Sequence, residues 1–310
     1  LLERADEAFD SRAYDEALGR YQAIHLAARS GGIKDVATEA AAQTSTILAL
    51  RGDLEESDRW MGFAENEATT LKRDSWSRVL LARGVRAWKR SESQLARGTF
   101  IELYNYCRLH GQSARAIQAA NMAAVVSLGE DQLDWSLRAI EAAQTVGDPK
   151  WEAPLWTSHA WLLDDRERFD DAVRAFERAR ELTNEADVTP LGKLQTDWAY
   201  AHGLRTVGRL AEARQLLERA NTITHSIYVA KPTARAAEWL GRILWELGEI
   251  DAAEGDKERA RERFHAARQK HVEAGATQAA PQLLADLDER IAALDRPPTV
   301  RRIPPKRRDG

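Results

Sequence analysis

The chain has 310 residues, 44% of them hydrophobic and 30% charged, with one cysteine and a formal net charge of -4. That length suits two ordinary domains or one long repeat array, and the lone Cys107 excludes an intrachain disulfide and a cysteine-based zinc site. Residues 296–310 (RPPTVRRIPPKRRDG) carry six Lys/Arg against one Asp, so residues 1–295 hold a net -9, which argues against nucleic-acid binding by the body.

No run approaches the ~18 apolar residues of a membrane helix, so no membrane partner is expected. The single thiol fits a reducing compartment, and a cytoplasmic location is expected. Strong helix formers dominate and alternating β-type runs are lacking, which makes the expected fold class all-α.

In chain order, the helical segments come in pairs. The first pair places a small residue, Ala5, twelve positions before the triplet Ala17/Tyr21/Ile24 and closes at Gly31-Gly32. The second has Ser45, the turn Arg51-Gly52-Asp53 and Ser57/Met61/Ala64. Gly84 then precedes Ala96/Phe100/Leu103, ending at Gly111, and Ala124 precedes Ser136/Ile140/Ala143, ending at Gly147-Asp148-Pro149. The fifth pair has Ala160 and Ala172/Phe176/Ala179, up to Pro190. The sixth has Ala201, the turn Val207-Gly208-Arg209 and Ala213/Leu217/Ala220, up to Pro232. The last has Gly248 and Ala260/Phe264/Ala267, and 278–294 follows as an amphipathic helix with no partner.

Spacing of four then three keeps each triplet on one helical face, and a small residue one turn before a large one lets a neighbouring helix approach closely. The triplets start 40, 39, 40, 36, 41 and 47 residues apart. These periods predict a repeat array over 1–277, with units around 1–32, 33–74, 75–111, 112–149, 150–188, 189–231 and 232–277. Residues 278–295 are expected to cap it, and 296–310 to form a disordered, basic, proline-rich tail.

Trp156-x2-His159-Ala160-x2-Leu163 followed by Ala172-x3-Phe176 resembles the tetratricopeptide-repeat pattern. The period near 40 exceeds the family's usual ~34 and is similar to the arrays of large bacterial signalling regulators. The closing proline is mostly absent. The resemblance implies a right-handed α-solenoid of about seven antiparallel helical hairpins, a superhelix with a C-terminal capping helix. Its first helices would line a concave groove.

By register, that groove would present Arg78, Leu81, Val85, Trp88 and Lys89, then Gln118, Asn121 and Val125, then Thr157, Trp161 and Asp164. Trp198, His202 and Arg205 follow, then Arg242, Trp245 and Glu249. The expected partner contacts are Arg78, Trp88, Gln118, Asn121, Trp161, Trp198, His202, Arg205, Arg242 and Trp245, because Trp and Arg dominate binding hot spots and amides can read a peptide backbone. A one-residue slip would turn these inward as core. Trp156 is expected in the core, and Trp60, Trp76, Trp135 and Trp151 in packing or connecting positions.

Catalytic signatures are lacking: no phosphate-cradling loop, no GxSxG elbow, no HExxH. Cys107 and His110 lie three apart, but a buried structural thiol is the plainer reading, and Glu262/His265 is a single pair where a helical di-metal site needs two. The chain is therefore expected not to be an enzyme and to need no cofactor or metal. The leading expectation is a scaffold holding a peptide or helix of a protein partner. The alternative is a sensor module of a larger signalling protein, its effector domain upstream of Leu1, where neither an initiator methionine nor an N-terminal cap is seen.

Overall fold

Where the two helices of a hairpin cross within one unit, one side of the crossing is a residue too small to keep them apart. A Cβ on Gly84 would stand 2.4 Å from the Phe100 ring and one on Gly248 2.7 Å from Phe264; between neighbouring hairpins, one on Gly203 would stand 2.9 Å from Phe176. At the second crossing, Ser45 Oγ donates to the Ser57 carbonyl at 2.9 Å and Ser57 Oγ to the Ser45 carbonyl at 2.8 Å. The large member of each triplet is wholly buried, and so are the small residues that start the triplets and those twelve positions earlier; Ile24 alone among the triplet residues is half-buried. Burying a large side chain contributes on the order of 1.5–3 kcal/mol, so one such residue per hairpin secures each crossing.

The computed structural model describes residues 2–186 and 189–295; the basic tail expected at 296–310 lies outside them. The helices are α1 (Glu3–Asp10), α2 (Tyr14–Ser30), α3 (Lys34–Arg51), α4 (Leu54–Glu67), α5 (Arg73–Lys89), α6 (Ser93–Leu109), α7 (Ser113–Val126) and α8 (Gly129–Gln144). They continue as α9 (Pro149–Asp164), α10 (Phe169–Glu185), α11 (Pro190–Thr206), α12 (Leu210–Ala230), α13 (Ala234–Ala253), α14 (Lys257–Glu273), α15 (Ala276–Ala279) and α16 (Pro281–Ala293). Among the described residues there is no strand.

The chain divides into two compact units, Leu1–Arg168 and Phe169–Gly310, so α9 and α10 fall in different units. In the first, each helix from α1 to α9 packs on the next in sequence, and α3 also packs on α5. In the second, α11 to α14 pack in sequence and α16 lies on α14, burying Leu287 against Phe264. Helix starts are set locally. Asp53, Asp148, Thr189, Thr233 and Asp256 each accept a hydrogen bond from a first-turn N–H, and Pro149 and Pro190 occupy first-turn positions where no donor is needed.

The turns inside hairpins need one residue in the left-handed region. Gly52, Gly208 and Gly255 supply it at φ 88°, 80° and 90°, whereas Arg12, Ser91 and Glu167 adopt φ 62°, 62° and 58° with a side chain. Ser91→Gly is expected to add about 1 kcal/mol by removing the Cβ conflict; a midpoint shift in urea unfolding checks it.

His271 is buried, its ring 2.8 Å from where a Gly241 Cβ would be, and its Nε2 has no hydrogen-bond partner. Burial, assisted by the Arg242 charge, pushes its pKa from 6.5 down to about 4. The unfolded chain thus takes a proton below about pH 6.5 that the folded chain refuses until about pH 4, so stability is full above that window and falls as pH drops through it. With allowance for solvent screening, the loss is expected to be about 2 kcal/mol. Urea unfolding at pH 7 and pH 4.5 should show this slope in the native chain and a smaller one in His271→Leu.

Candidate functional site

In the first unit, a cleft of about 730 Å³ opens along the first helices of successive hairpins. Asp6, Phe9 and Asp10 come from α1, Gln43 from α3, Ser77, Arg78 and Leu81 from α5, Arg115, Gln118 and Asn121 from α7, and Trp151, Pro154 and Leu155 from α9. Helical periodicity does this work: Arg115 and Gln118 are three apart, as are Gln118 and Asn121, so α7 turns three polar side chains to one side.

The floor is charged and internally tied. Arg78, 8% exposed, donates to Asp6 of α1 at 2.8 Å and to Glu39 of α3 at 2.8 Å. Arg115 lies 3.8 Å from Glu39 and donates to the Asp74 carbonyl at 2.8 Å. Tyr21 hydrogen-bonds Asp6, and burial together with that acceptor raises the phenol well above its ordinary range. Burial also raises the Glu39 carboxyl, against the pull of Arg78 and Arg115. One chain of ion pairs therefore links α1, α3, α5 and α7. Above it, Gln118 and Asn121 are half-buried and make no side-chain hydrogen bond among the described residues.

The second unit gathers a different set. Arg242 lies 5.6 Å from the Trp198 ring centroid and 5.4 Å from that of Trp239, and the two indoles meet edge to face at 5.8 Å. Cation–π contacts of this kind contribute on the order of 0.5–2 kcal/mol. His202 and Arg205 on α11 reach Glu246 on α13 at 3.0 and 2.7 Å. Burial works to raise the Glu246 carboxyl, but the His202 hydrogen bond and the Arg205 charge hold it below its ordinary value.

The structure thus brings Arg78, Gln118 and Asn121 together in one unit, and Trp198, His202, Arg205 and Arg242 together in the other. Arg78 is not a free guanidinium, since two carboxylates occupy it. Trp88 is half-buried against the core of the first unit with the Lys89 ammonium 5.3 Å from its ring, and Trp161 is half-buried on α9; neither lines the cleft. Trp245 packs with Ile291 against the C-terminal cluster and donates to Glu249 at 3.1 Å. Trp156 is half-buried at the core, donating to Glu152 at 3.1 Å.

Trp151 departs from the packing expected of it: it is 42% exposed and lines the cleft. Asp148 caps α9 and Pro149 opens it, which puts Trp151 in the first turn instead of a connector. Arg115 was also missed, although its i, i+3 relation to Gln118 marks the same face.

The thiol of Cys107 is wholly buried, and burial pushes its pKa up to about 11, so little thiolate exists at neutral pH. Its Sγ lies 3.6 Å from Gln112 Oε1, while His110 stacks on Tyr106 with centroids 4.2 Å apart. Among the described residues no helix is long and apolar enough to cross a membrane.

No protein-family model and no curated protein matches the sequence. Solved structures do. The tetratricopeptide-repeat sensor protein of the signal transduction ATPases with numerous domains, from Pyrococcus horikoshii, is similar with a TM-score of 0.70 at 13% identity, over 95% of this chain and 44% of that one. This chain therefore spans less than half of that ATPase's length. BtubC from P. vanneervenii is similar with a TM-score of 0.59 at 14% identity, over 69% of this chain and 92% of its own. A Rap protein complexed with competence and sporulation factor gives 0.55 at 12%, over 94% and 85%. The chain has the all-helical fold of the tetratricopeptide-repeat class.

Proposed function

We propose that this chain is a protein-interaction module, and that the cleft of residues 2–168 holds an extended peptide segment of a partner. The carrying observation is the pair Gln118 and Asn121: amides on one helical face with no side-chain hydrogen bond among the described residues, beside a floor where Arg78 is tied to Asp6 and Glu39. An extended peptide has a backbone donor and acceptor at every residue, and side-chain amides can meet both. Trp151, Leu81 and Leu155 supply the apolar surface such a segment would cover. Trp198, His202, Arg205 and Arg242 are proposed as a second contact area, in the other unit.

A second reading follows from the Pyrococcus sensor, whose likeness extends over 95% of this chain: the array would sense an oligopeptide or small effector and control an attached domain. Both readings place the ligand on the same cleft residues and differ in what binding does afterwards.

Random 12-residue peptides selected by display against the native chain provide the probe. Asn121→Ala is expected to weaken the selected peptides about tenfold, the equivalent of roughly 1.4 kcal/mol for one lost pair of backbone bonds, with helical circular dichroism unchanged. Undiminished affinity in both Asn121→Ala and Gln118→Ala would remove the cleft from the account.

A further inference from the structure

Three grooves sit at one and the same repeat position, between the second helix of a hairpin and both helices of the next. Two belong to the first unit and are balanced in charge. The one between α2, α3 and α4, about 80 Å³, is lined by Arg29 and Glu67, and the one between α6, α7 and α8, about 310 Å³, by Arg108 and Glu141. The second unit has its counterpart between α10, α11 and α12. There Asn184 follows Ala172 by twelve residues, as Arg29 follows Ala17 and Arg108 follows Ala96.

This third groove differs in chemistry. Its volume of about 370 Å³ lies within the roughly 300–1,000 Å³ of small-ligand pockets. Leu216, Ala220 and Ile223 follow one another at spacings of four and three, which puts them on one face of α12, and Leu194 of α11 lines the same space. Ile223 is 47% exposed.

Its charges are not balanced. Arg180, Lys193 and Arg219 line it with a single carboxylate, Asp197, and Arg180 already donates to that one. Lys193, half-buried, and Arg219, exposed, have no carboxylate within 4 Å among the described residues. A half-buried ammonium without a counter-ion loses hydration that nothing replaces, and an anion beside it would restore the loss through charge-assisted hydrogen bonds.

We infer that this groove binds a small amphiphile with an apolar body and one anionic head, of the class of medium-chain carboxylic acids. The apolar body covers Leu194, Leu216 and Ile223, and the carboxylate is held by Lys193 and Arg219. A neutral chain would leave the two cations unmatched, and a bare inorganic anion would leave Ile223 in water. None of Trp198, His202, Arg205 and Arg242 lines the groove, so it is separate from the contact area proposed above.

Isothermal titration of the full chain with decanoate tests this, beside decanol, which keeps the body without the charge, and decyltrimethylammonium, which reverses it. Saturable one-to-one binding of decanoate is expected, at least tenfold tighter than that of either control. Lys193→Gln/Arg219→Gln and Ile223→Asn should each weaken it at least tenfold with helical circular dichroism unchanged. The double variant should keep its full affinity for the selected 12-residue peptides, which separates this groove from the cleft. The inference is overturned by the absence of saturable decanoate binding, by equal binding of either control, or by affinity that survives these substitutions. Phosphatidylglycerol vesicles that bind the native chain, and not these variants, while decanoate does not bind, overturn it as well.

Discussion

Arg78→Ala is expected to cost about 3–5 kcal/mol of stability, the cost of stranding buried partners of a removed charge. The guanidinium holds Asp6 and Glu39 together across three helices, at 2.8 Å to each. Without it, Glu39, 8% exposed, keeps only Arg115 at 3.8 Å. Its carboxyl is already raised by burial, so the stranded residue should take up a proton and folding should become easier at lower pH relative to the native chain. Adding Glu39→Gln to Arg78→Ala should recover part of the loss, because a neutral amide is cheaper to bury than a lone carboxylate. Chemical denaturation of the three variants measures this. A loss under 1 kcal/mol in Arg78→Ala would show that the network does not hold α1, α3 and α5 together.

Gly84→Ala should destabilise by about 2 kcal/mol even though alanine is the better helix former by up to ~1 kcal/mol. The new methyl would sit 2.4 Å from the Phe100 ring, which is itself wholly buried and has nowhere to go. Phe100→Leu in the same chain should relieve the conflict at the cost of lost packing. Gly98 and Gly62 supply the contrast, being helical with nothing within 4 Å of an added Cβ. Alanine at either should stabilise by a few tenths to ~1 kcal/mol. Opposite signs for the same substitution on helices of the same fold would tie the crossing geometry to the small residue. Equal signs would sever it.

Those crossings were legible in the sequence for a physical reason. Close helical approach needs a small residue, and filling the gap beside it needs a large one, so the pairing repeats as a local pattern of spacing four and three. The groove residues left a weaker trace. Helical register placed Gln118 and Asn121 on a shared face, but nothing local says that Asp6 and Glu39, 72 and 39 residues before Arg78, converge on that guanidinium. The same holds for His202 and Glu246, 44 residues apart. Trp245 illustrates the opposite limit: its register face is right for a groove, yet the C-terminal helix brings Ile291 into the cluster against which it packs. Trp151, expected in packing, sits instead in the first turn of α9, because the start of that helix depends on the Asp148 cap, a feature of the turn and not of the repeat period.

The central claim is that partners enter the cleft of the first unit. Benzoylphenylalanine in place of Trp151, which is exposed at the cleft, and in place of Leu95, exposed on α6, tests it by photo-crosslinking to the selected 12-residue peptides. Crosslinks at position 151 and none at position 95 are the result expected of cleft binding. Crosslinks at 95 with none at 151 would contradict it.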